Sequence, residues 1–584
     1  MTPPPERKPS WPNLMLILGD ISGIQTFVYD VSHEGGGQAR RLRARSFFVQ
    51  ALCEAAAIRV LQALPWEFDL DRHLVLSAAG RFVLRGPDFA EAATVIERMQ
   101  FELSTWLLQN VSGELRVSLI AADDQRQESE MQQYRLARER LENLTLRPWA
   151  ALAIDNGRWQ SHRLLLEPLD TPCVLCRHRS GVTTETDRET GEERRVCSLC
   201  HHLLNLGRDL PRANWVTFTT DKPQGVPSAF GLSLKAVAAA ELKWSDHMVS
   251  ASRLSTSPHP DEPIPHGRRL SRRLARFIPT HRNGETATFE EIAAKGTGDA
   301  KLGVMKADGD GLGVYLQQLF SGSTSLEDYR QLSRDLDDFS AGDLDELVRA
   351  KFPWIYTLYS GGDDLLFLGP WDQILEFAGH VRQQFLSRFG ARGLRISAGV
   401  ALVPPHWPIR RAVGLAEEQL ELAKTTCARG WSQPKDQVAA FGMVWKWLSH
   451  AKILAGGREL ARWVTVGAAQ RGWLQRLLEL YRAHVGQRNQ RRLVTAGDGP
   501  NSETEWQTDP RNQLLASARL NYFVARNFPK AHDRRPDHAA LRQWMDQRLR
   551  QIDDPHTADA ETLYLPAILQ YAILATRSKR DHDD

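Results

Sequence analysis

Long apolar runs are scarce at the head of this sequence. The opening, MTPPPERKPSWPNLMLILGD, is prolyl and charged, and its apolar run from Leu14 to Leu18 spans only five residues. That is too short for a secretory hydrophobic core or a membrane span, so neither is expected. Cysteine is scarce too: six in 584 residues cannot form a disulfide-built scaffold, and a reducing cytoplasm is the expected setting. Charge of one sign is also lacking. Lys and Arg number 74 against 71 Asp and Glu, a net charge of +3, so bulk charge argues for neither nucleic acid nor a membrane surface. Arginine does cluster late, in GQRNQRRL (486–493) and HDRRPDH (532–538). Such runs are solvated faces unless they line a groove, where they become phosphate contacts.

What is present suffices for packed cores: 42% of residues are hydrophobic and 25% charged. A chain of this length has room for about four domains. NLMLILGDISG reads as a strand ending in a loop, followed by a long helical pattern over 41–64. HLVLSAAGRFVLRGP (73–87) reads as a hairpin. A helix over 89–109 and the strand ELRVSLIAA (114–122) complete a β-α-ββ-α-β order, the ferredoxin-like pattern. The second half repeats it. AKLGVMKADGDGLG (300–313) is a strand and loop, and helical segments cover 325–351. WIYTLYSGGDDLLFLGPW (354–371) is a hairpin, with a helix over 373–389, the strand LRISAGVALVPP (394–405) and a helix over 409–426. LSAAGRFVLRGP aligns with YSGGDDLLFLGP, which points to an internal duplication. After Phe441 the apolar spacing turns mainly helical.

The second hairpin sets two carboxylates, Asp363 and Asp364, between apolar runs, where they cost solvation unless a cation or proton neutralises them. Gly361 and Gly362, after Ser360, free the turn's dihedrals and let a phosphate approach the backbone. The preceding strand ends in ADGDG, giving Asp308 and Asp310. In a ferredoxin-like sheet that strand neighbours the hairpin, so Asp308 and Asp363 are expected to converge. Three or four converging carboxylates call for hard divalent cations, Mg²⁺ or Mn²⁺. Two such ions about 4 Å apart activate a 3′ hydroxyl and stabilise leaving pyrophosphate. Gly-Gly-Asp-Asp is also ordinary turn composition; Asp308 and the strand order favour the metal site. The first copy has Ala78, Ala79, Gly80 and Arg81 at the matching turn. Its GDISGIQ loop offers Ser22, Gly23 and Gln25 to a nucleotide, or is simply a strand-to-helix loop.

Between the copies, Cys173, Cys176, Cys197 and Cys200 form C-x2-C-x20-C-x2-C. Two such knuckles complete a tetrahedral Zn²⁺ site, with His201 and His202 as possible substitutes for a ligand. Cys53 and Cys427 lie on apolar helical patterns and are expected in the core.

Together these segments resemble the large subunit of type III CRISPR–Cas effector complexes, the CRISPR polymerase family. The resemblance rests on GDISGIQTFVY (19–29), the four-cysteine insert, TFEEIA leading to LGVMKADGDGLG, YSGGDDLLFLGPW, ISAGVALVPPHWPI (396–409) and AEEQLELAK (416–424). It implies an α/β (α+β) chain with a first palm over 1–150, a zinc-binding insert over 151–280, a second, catalytic palm over 281–440 and a helical domain over 441–584. It further implies a metal-dependent nucleotidyltransferase that joins ATP into cyclic oligoadenylate, triggered by target RNA paired to a guide crRNA, within a complex of further subunits and without a membrane. Asp308, Asp363 and Asp364 match the family's catalytic carboxylates, and Lys424 matches a position that meets triphosphate or is a solvated helix lysine. Two departures stand out. Gly311 follows Asp310 where the family has Asn. The residues before the first strand are too few for the HD nuclease domain of many members, so HD-type DNase activity is expected to be absent. His532–Asp533, in an arginine-rich turn, reads as surface. A stand-alone cyclase or polymerase with another product, and a non-catalytic scaffold, are the alternatives.

Overall fold

A computed structural model describes residues 14–29, 38–78, 80–122, 130–155, 157–166, 168–186, 191–221, 226–254, 264–265, 267–271, 277–281, 286–321, 326–361, 364–429, 431–490, 510–530, 533–552 and 559–577. Gly362, Asp363 and His532 lie outside them.

The amino-terminal sheet holds β1 (Leu14–Ser22), β2 (Leu74–Ala78), β3 (Arg81–Pro87) and β4 (Arg116–Ala121), in the order β2-β3-β1-β4. Its ladders are antiparallel. Helices α1 (Ile24–Tyr29) and α2 (Gln38–Ala63) follow β1, α3 (Ala92–Val111) joins β3 to β4, and α4 (Glu130–Thr145) packs on β1 and β4. Among the described residues α2 is the one helix long and apolar enough to span a membrane; most of that apolar stretch is buried inside the protein. A middle region follows. It holds the cysteine knuckles, α5 (Ser198–Asp209) and a five-stranded sheet formed between Trp215 and Ser271.

The third sheet repeats the first. Its strands β5 (Leu302–Asp310), β6 (Tyr356–Gly361), β7 (Asp364–Pro370) and β8 (Arg395–Val403) run in the order β6-β7-β5-β8. Helices α6 (Leu312–Ser321) and α7 (Leu326–Asp338) follow β5, α8 (Trp371–Phe389) joins β7 to β8, and α9 (Ile409–Thr425) packs on β5 and β8 as α4 packs on β1 and β4. The likeness reaches detail: the first hairpin has a register shift between Leu74 and Leu76, and the second has one between Thr357 and Tyr359.

This sheet is buried on both faces, because side chains alternate along each strand. Leu302, Val304, Leu366 and Leu368 join one core with α9 and the amino-terminal helices. Met305, Ala307, Leu365 and Phe367 join another with α8 and the carboxy-terminal helices. The sheet does not stop where helical spacing begins after Phe441. Strands β9 (Gln437–Ala440) and β10 (Met443–Lys446) extend it, β9 parallel to β8. Phe441 and Gly442 both take positive φ, 55° and 71°, which closes this tight hairpin. Cys53 is in the core as expected, whereas Cys427 is only half-buried. Helix α9 ends at Thr425, so Cys427 falls in a loop, where its thiol donates to the Ser432 carbonyl at 3.3 Å.

Candidate active site

Asp308 stands directly opposite Asp364 in the β5–β7 ladder, with Ser397 of β8 on its other side. Opposed residues of an antiparallel pair hold their side chains about 5 Å apart on one face, and like charges there repel. Lys424 of α9 forms an ion pair with Asp308 from above that face. The ammonium pairs with Asp308, while Asp364 sets a second carboxylate at the opposed position, an all-oxygen donor pair of the kind hard divalent cations take. These residues fit a divalent ion. Burial, with Lys435 and Lys306 nearby, pushes the Lys424 ammonium down to about 8.

Asp310 is not part of this pair. Its Oδ2 accepts from the Ser397 hydroxyl at 2.5 Å and from the Asp436 backbone at 2.9 Å, and burial raises its carboxyl. It ties β5 to β8 and to the loop before β9. Ser360 is likewise turned away: its buried hydroxyl donates to the Ser340 carbonyl at 2.9 Å. Gly361 ends β6 opposite Asp364.

Sequence reasoning missed three residues. Lys306, buried on β5, is ion-paired with Glu417 of α9. Tyr29 ends α1 and has a phenol pushed far up, by burial first and then by Asp364, Tyr359 and Glu417. A lysine inside an apolar strand was the available signal for the first pair. Tyr29 closes the GDISGIQTFVY segment, but nothing local marks its destination.

In the first sheet the same ladder position holds Asp20 opposite Arg81, and their side chains pair at 2.7 Å. Beside them opens a cavity of about 640 Å³, lined among others by Ser22, Gly23, Gln25, Leu316 and Ser333. It lies between the GDISGIQ loop and helices α6 and α7. Gly23 has φ +86°, and a Cβ there would sit 2.3 Å from the Glu114 carbonyl oxygen. Only glycine fits this turn.

The four cysteines of the knuckles are buried, and their sulfurs lie within 4.8 Å of one another. Cys176 and Cys197 sulfurs are 3.8 Å apart, the edge of a tetrahedron with Zn–S bonds of about 2.3 Å. Among the described residues this is the one group of three or more metal-ligating side chains. His201 pairs with Glu185 at 2.7 Å. Arg179, between the knuckles, pairs with Glu114 at 2.6 Å, which docks the knuckle beneath the Gly23 turn.

A family model for the Cas10/Cmr2 second palm domain matches residues 301–432, and one for Csm1 subunit domain B matches 13–148. A CRISPR system single-strand-specific deoxyribonuclease Cas10/Csm1 (subtype III-A) of Thermococcus onnurineus is 27% identical over 505 residues, 81% of this chain and 62% of that protein. The protein of the same description from Mycobacterium tuberculosis is 25% identical over 568 residues, 88% of this chain and 67% of its own length. The chain thus spans 62% and 67% of these two relatives. Among solved structures, a Csm1–Csm4 cassette in complex with AMPPNP shares the fold with a TM-score of 0.65 at 20% identity, over 98% of this chain and 71% of that one. A Csm1–Csm4 cassette in complex with cA4 aligns with a TM-score of 0.64 at 20% identity, over 97% and 70%.

Proposed function

We propose that this chain, which belongs to the Cas10/Csm1 family of type III-A CRISPR large subunits, is a nucleotidyltransferase converting ATP to cyclic oligoadenylate. The observation that carries the reading is the register of Asp308 against Asp364. Asp308, Asp363 and Asp364 would hold Mg²⁺ or Mn²⁺. When bound, such ions lower the pKa of an attacking 3′ hydroxyl and neutralise the leaving pyrophosphate.

The chain's own residues do the rest. Gly361 and Gly362 leave room for phosphate at the hairpin turn. Lys424 offers an ammonium to the triphosphate, as a point charge. The cavity at Ser22, Gly23 and Gln25 receives the second nucleotide, which supplies the 3′ hydroxyl. Ser360, included among nucleotide contacts from its place in the motif, instead braces β6 through Ser340. The four cysteines hold a structural zinc. The domain layout of this reading is two palms, the zinc insert between them and a helical tail that starts after Lys446.

The solved relatives are Csm1–Csm4 cassettes, with AMPPNP or cA4 bound. By that likeness the partners of this chain are a Csm4-like subunit, further subunits of a cytoplasmic type III complex, crRNA and target RNA. The test is mass spectrometry of products from the assembled complex with ATP, Mg²⁺ and matched target RNA. Cyclic oligoadenylate from the parent, and none from Asp308→Asn/Asp364→Asn, supports the reading. A different product from the parent would favour a stand-alone cyclase chemistry.

A further inference from the structure

Helix α9 lies unusually close to β5 and β8. A Cβ on Gly399 would sit 2.4 Å from the Ala416 carbonyl oxygen and 2.1 Å from the Leu420 nitrogen, so the helix backbone rests on the strand. Gly399 pairs with Lys306 in the ladder. Lys306 meets Glu417 there, which fixes the helix along its axis. Two turns on, about 10 Å further, Lys424 stands on the same face and meets Asp308, two residues beyond Lys306. Strand and helix thus exchange charges in two steps: lysine to glutamate, then aspartate to lysine. Helix position and the state of Asp308 are one device.

We infer that Lys424 is a positioning residue that closes Asp308 to a bare divalent cation and releases it when the cation arrives with a triphosphate, an inference that rests on the metal-site reading above. A cation at Asp308 takes the carboxylate that Lys424 holds. The displaced ammonium then faces Lys435 and Lys306, while of the nearby anions Asp364 is a ligand of the same cation in this reading and Glu417 is ion-paired with Lys306. A lone ion provides it no anion. An ion carried by a nucleotide does, because phosphate oxygens are strong partners for ammonium. Metal and nucleotide therefore bind with positive coupling, and by linkage each raises the other's affinity by the same factor. Among the described residues, Asp364 from β7, Glu417 from α9 itself and the Tyr29 phenol from α1 also act at this face.

The experiment is Mn²⁺ binding to the full-length, zinc-loaded protein by electron paramagnetic resonance, with and without AMPPNP. The parent binds Mn²⁺ weakly alone and roughly tenfold or more tightly with the nucleotide. Lys424→Met binds Mn²⁺ alone about as tightly as the parent does with AMPPNP, and AMPPNP then adds little. Lys424→Arg keeps the parental coupling. If Lys424→Met binds Mn²⁺ alone no better than the parent, while Asp308→Asn/Asp364→Asn loses it, the inference is overturned and the metal site stands. If Asp308→Asn/Asp364→Asn binds Mn²⁺ like the parent, the metal-site reading itself falls, and this inference with it. A melting curve on each variant shows that it is folded.

Discussion

Asp20 and Arg81 face each other across the first sheet and form an ion pair at 2.7 Å, in the ladder position where the third sheet sets Asp308 against Asp364. The correspondence extends sideways. Asp20 pairs on its other edge with Ser118, as Asp308 does with Ser397. Ser22 pairs with Arg116, as Asp310 does with Arg395. One wiring thus carries two charge patterns. In the first, a guanidinium supplies the positive charge from within the sheet. In the second, both strand positions are anionic and the positive charge must come from outside the sheet.

Asp364→Asn tests the second pattern. Removing one of two opposed carboxylates relieves repulsion, so the melting temperature should hold or rise slightly. Loss of a metal ligand should lower product formation by about a hundredfold or more. The two readouts are a thermal melt and product yield with Mg²⁺. A variant that melts early, or one that keeps full yield, contradicts the assignment.

The repeated strand order and the place of Asp308 beside the second hairpin were legible because their signals are local. Period-two apolar runs, paired glycines and carboxylates inside apolar sequence all lie within a few residues. Lys306 and Glu417 are 111 positions apart. Only packing of α9 on Gly399 joins them, and no spacing rule reaches that far. The strands β9 and β10 were missed because each has four residues and their turn is Phe-Gly rather than Asn-Gly or Asp-Gly. Ser360 borders the glycines in sequence, but the partner of its hydroxyl, Ser340, sits twenty positions away in the π-helical turn Phe339–Asp343, which no local pattern marks.

The knuckles should carry one zinc per chain by elemental analysis. Cys173→Ser removes one of four buried sulfurs. Metal binding at such a site is folding free energy, so the variant should lose the zinc and several degrees of melting temperature. Since Arg179 of the knuckle holds Glu114 beneath the Gly23 turn, proteolytic sensitivity of the 19–29 segment should rise as well. A folded, zinc-free parent protein would contradict the assignment.

His450 gives a pH test away from the site. It is buried, accepts from the Trp445 indole at Nδ1 (3.1 Å) and donates from Nε2 to the Leu375 carbonyl (2.8 Å). Both nitrogens are thereby committed to the neutral ring, and burial lowers the imidazole to about 4. A folded-state value below the unfolded value means that the unfolded chain takes the proton first. The stabilisation is complete above about pH 6.5 and is lost as pH falls toward 4. Between pH 7 and pH 5 this group alone should cost about 2 kcal/mol. His450→Gln should be less stable at pH 7, yet lose less between pH 7 and pH 5 than the parent. Equal losses in denaturant titrations of the two proteins would show that His450 is not the sensor.

The nucleotide facing the carboxylates can be tested at the first sheet, but not through Gly23. Its positive φ and the Glu114 carbonyl 2.3 Å from a Cβ mean that any larger residue distorts the turn, so lost activity there would report misfolding. Gln25 is exposed and lines the cavity. Gln25→Ala leaves the packing of Phe27 and Val28 untouched and should not move the melting temperature. Arg81→Gln removes a partly exposed ion pair, worth at most about 1 kcal/mol. If the second nucleotide sits in this cavity, both variants should bind one ATP with its metal ion while the second site weakens and product yield falls. Equilibrium dialysis with Mg²⁺ and a non-reacting ATP analogue measures the stoichiometry directly. Two analogue molecules per chain at parental affinity in both variants would place the acceptor elsewhere and leave the first sheet a purely structural wall.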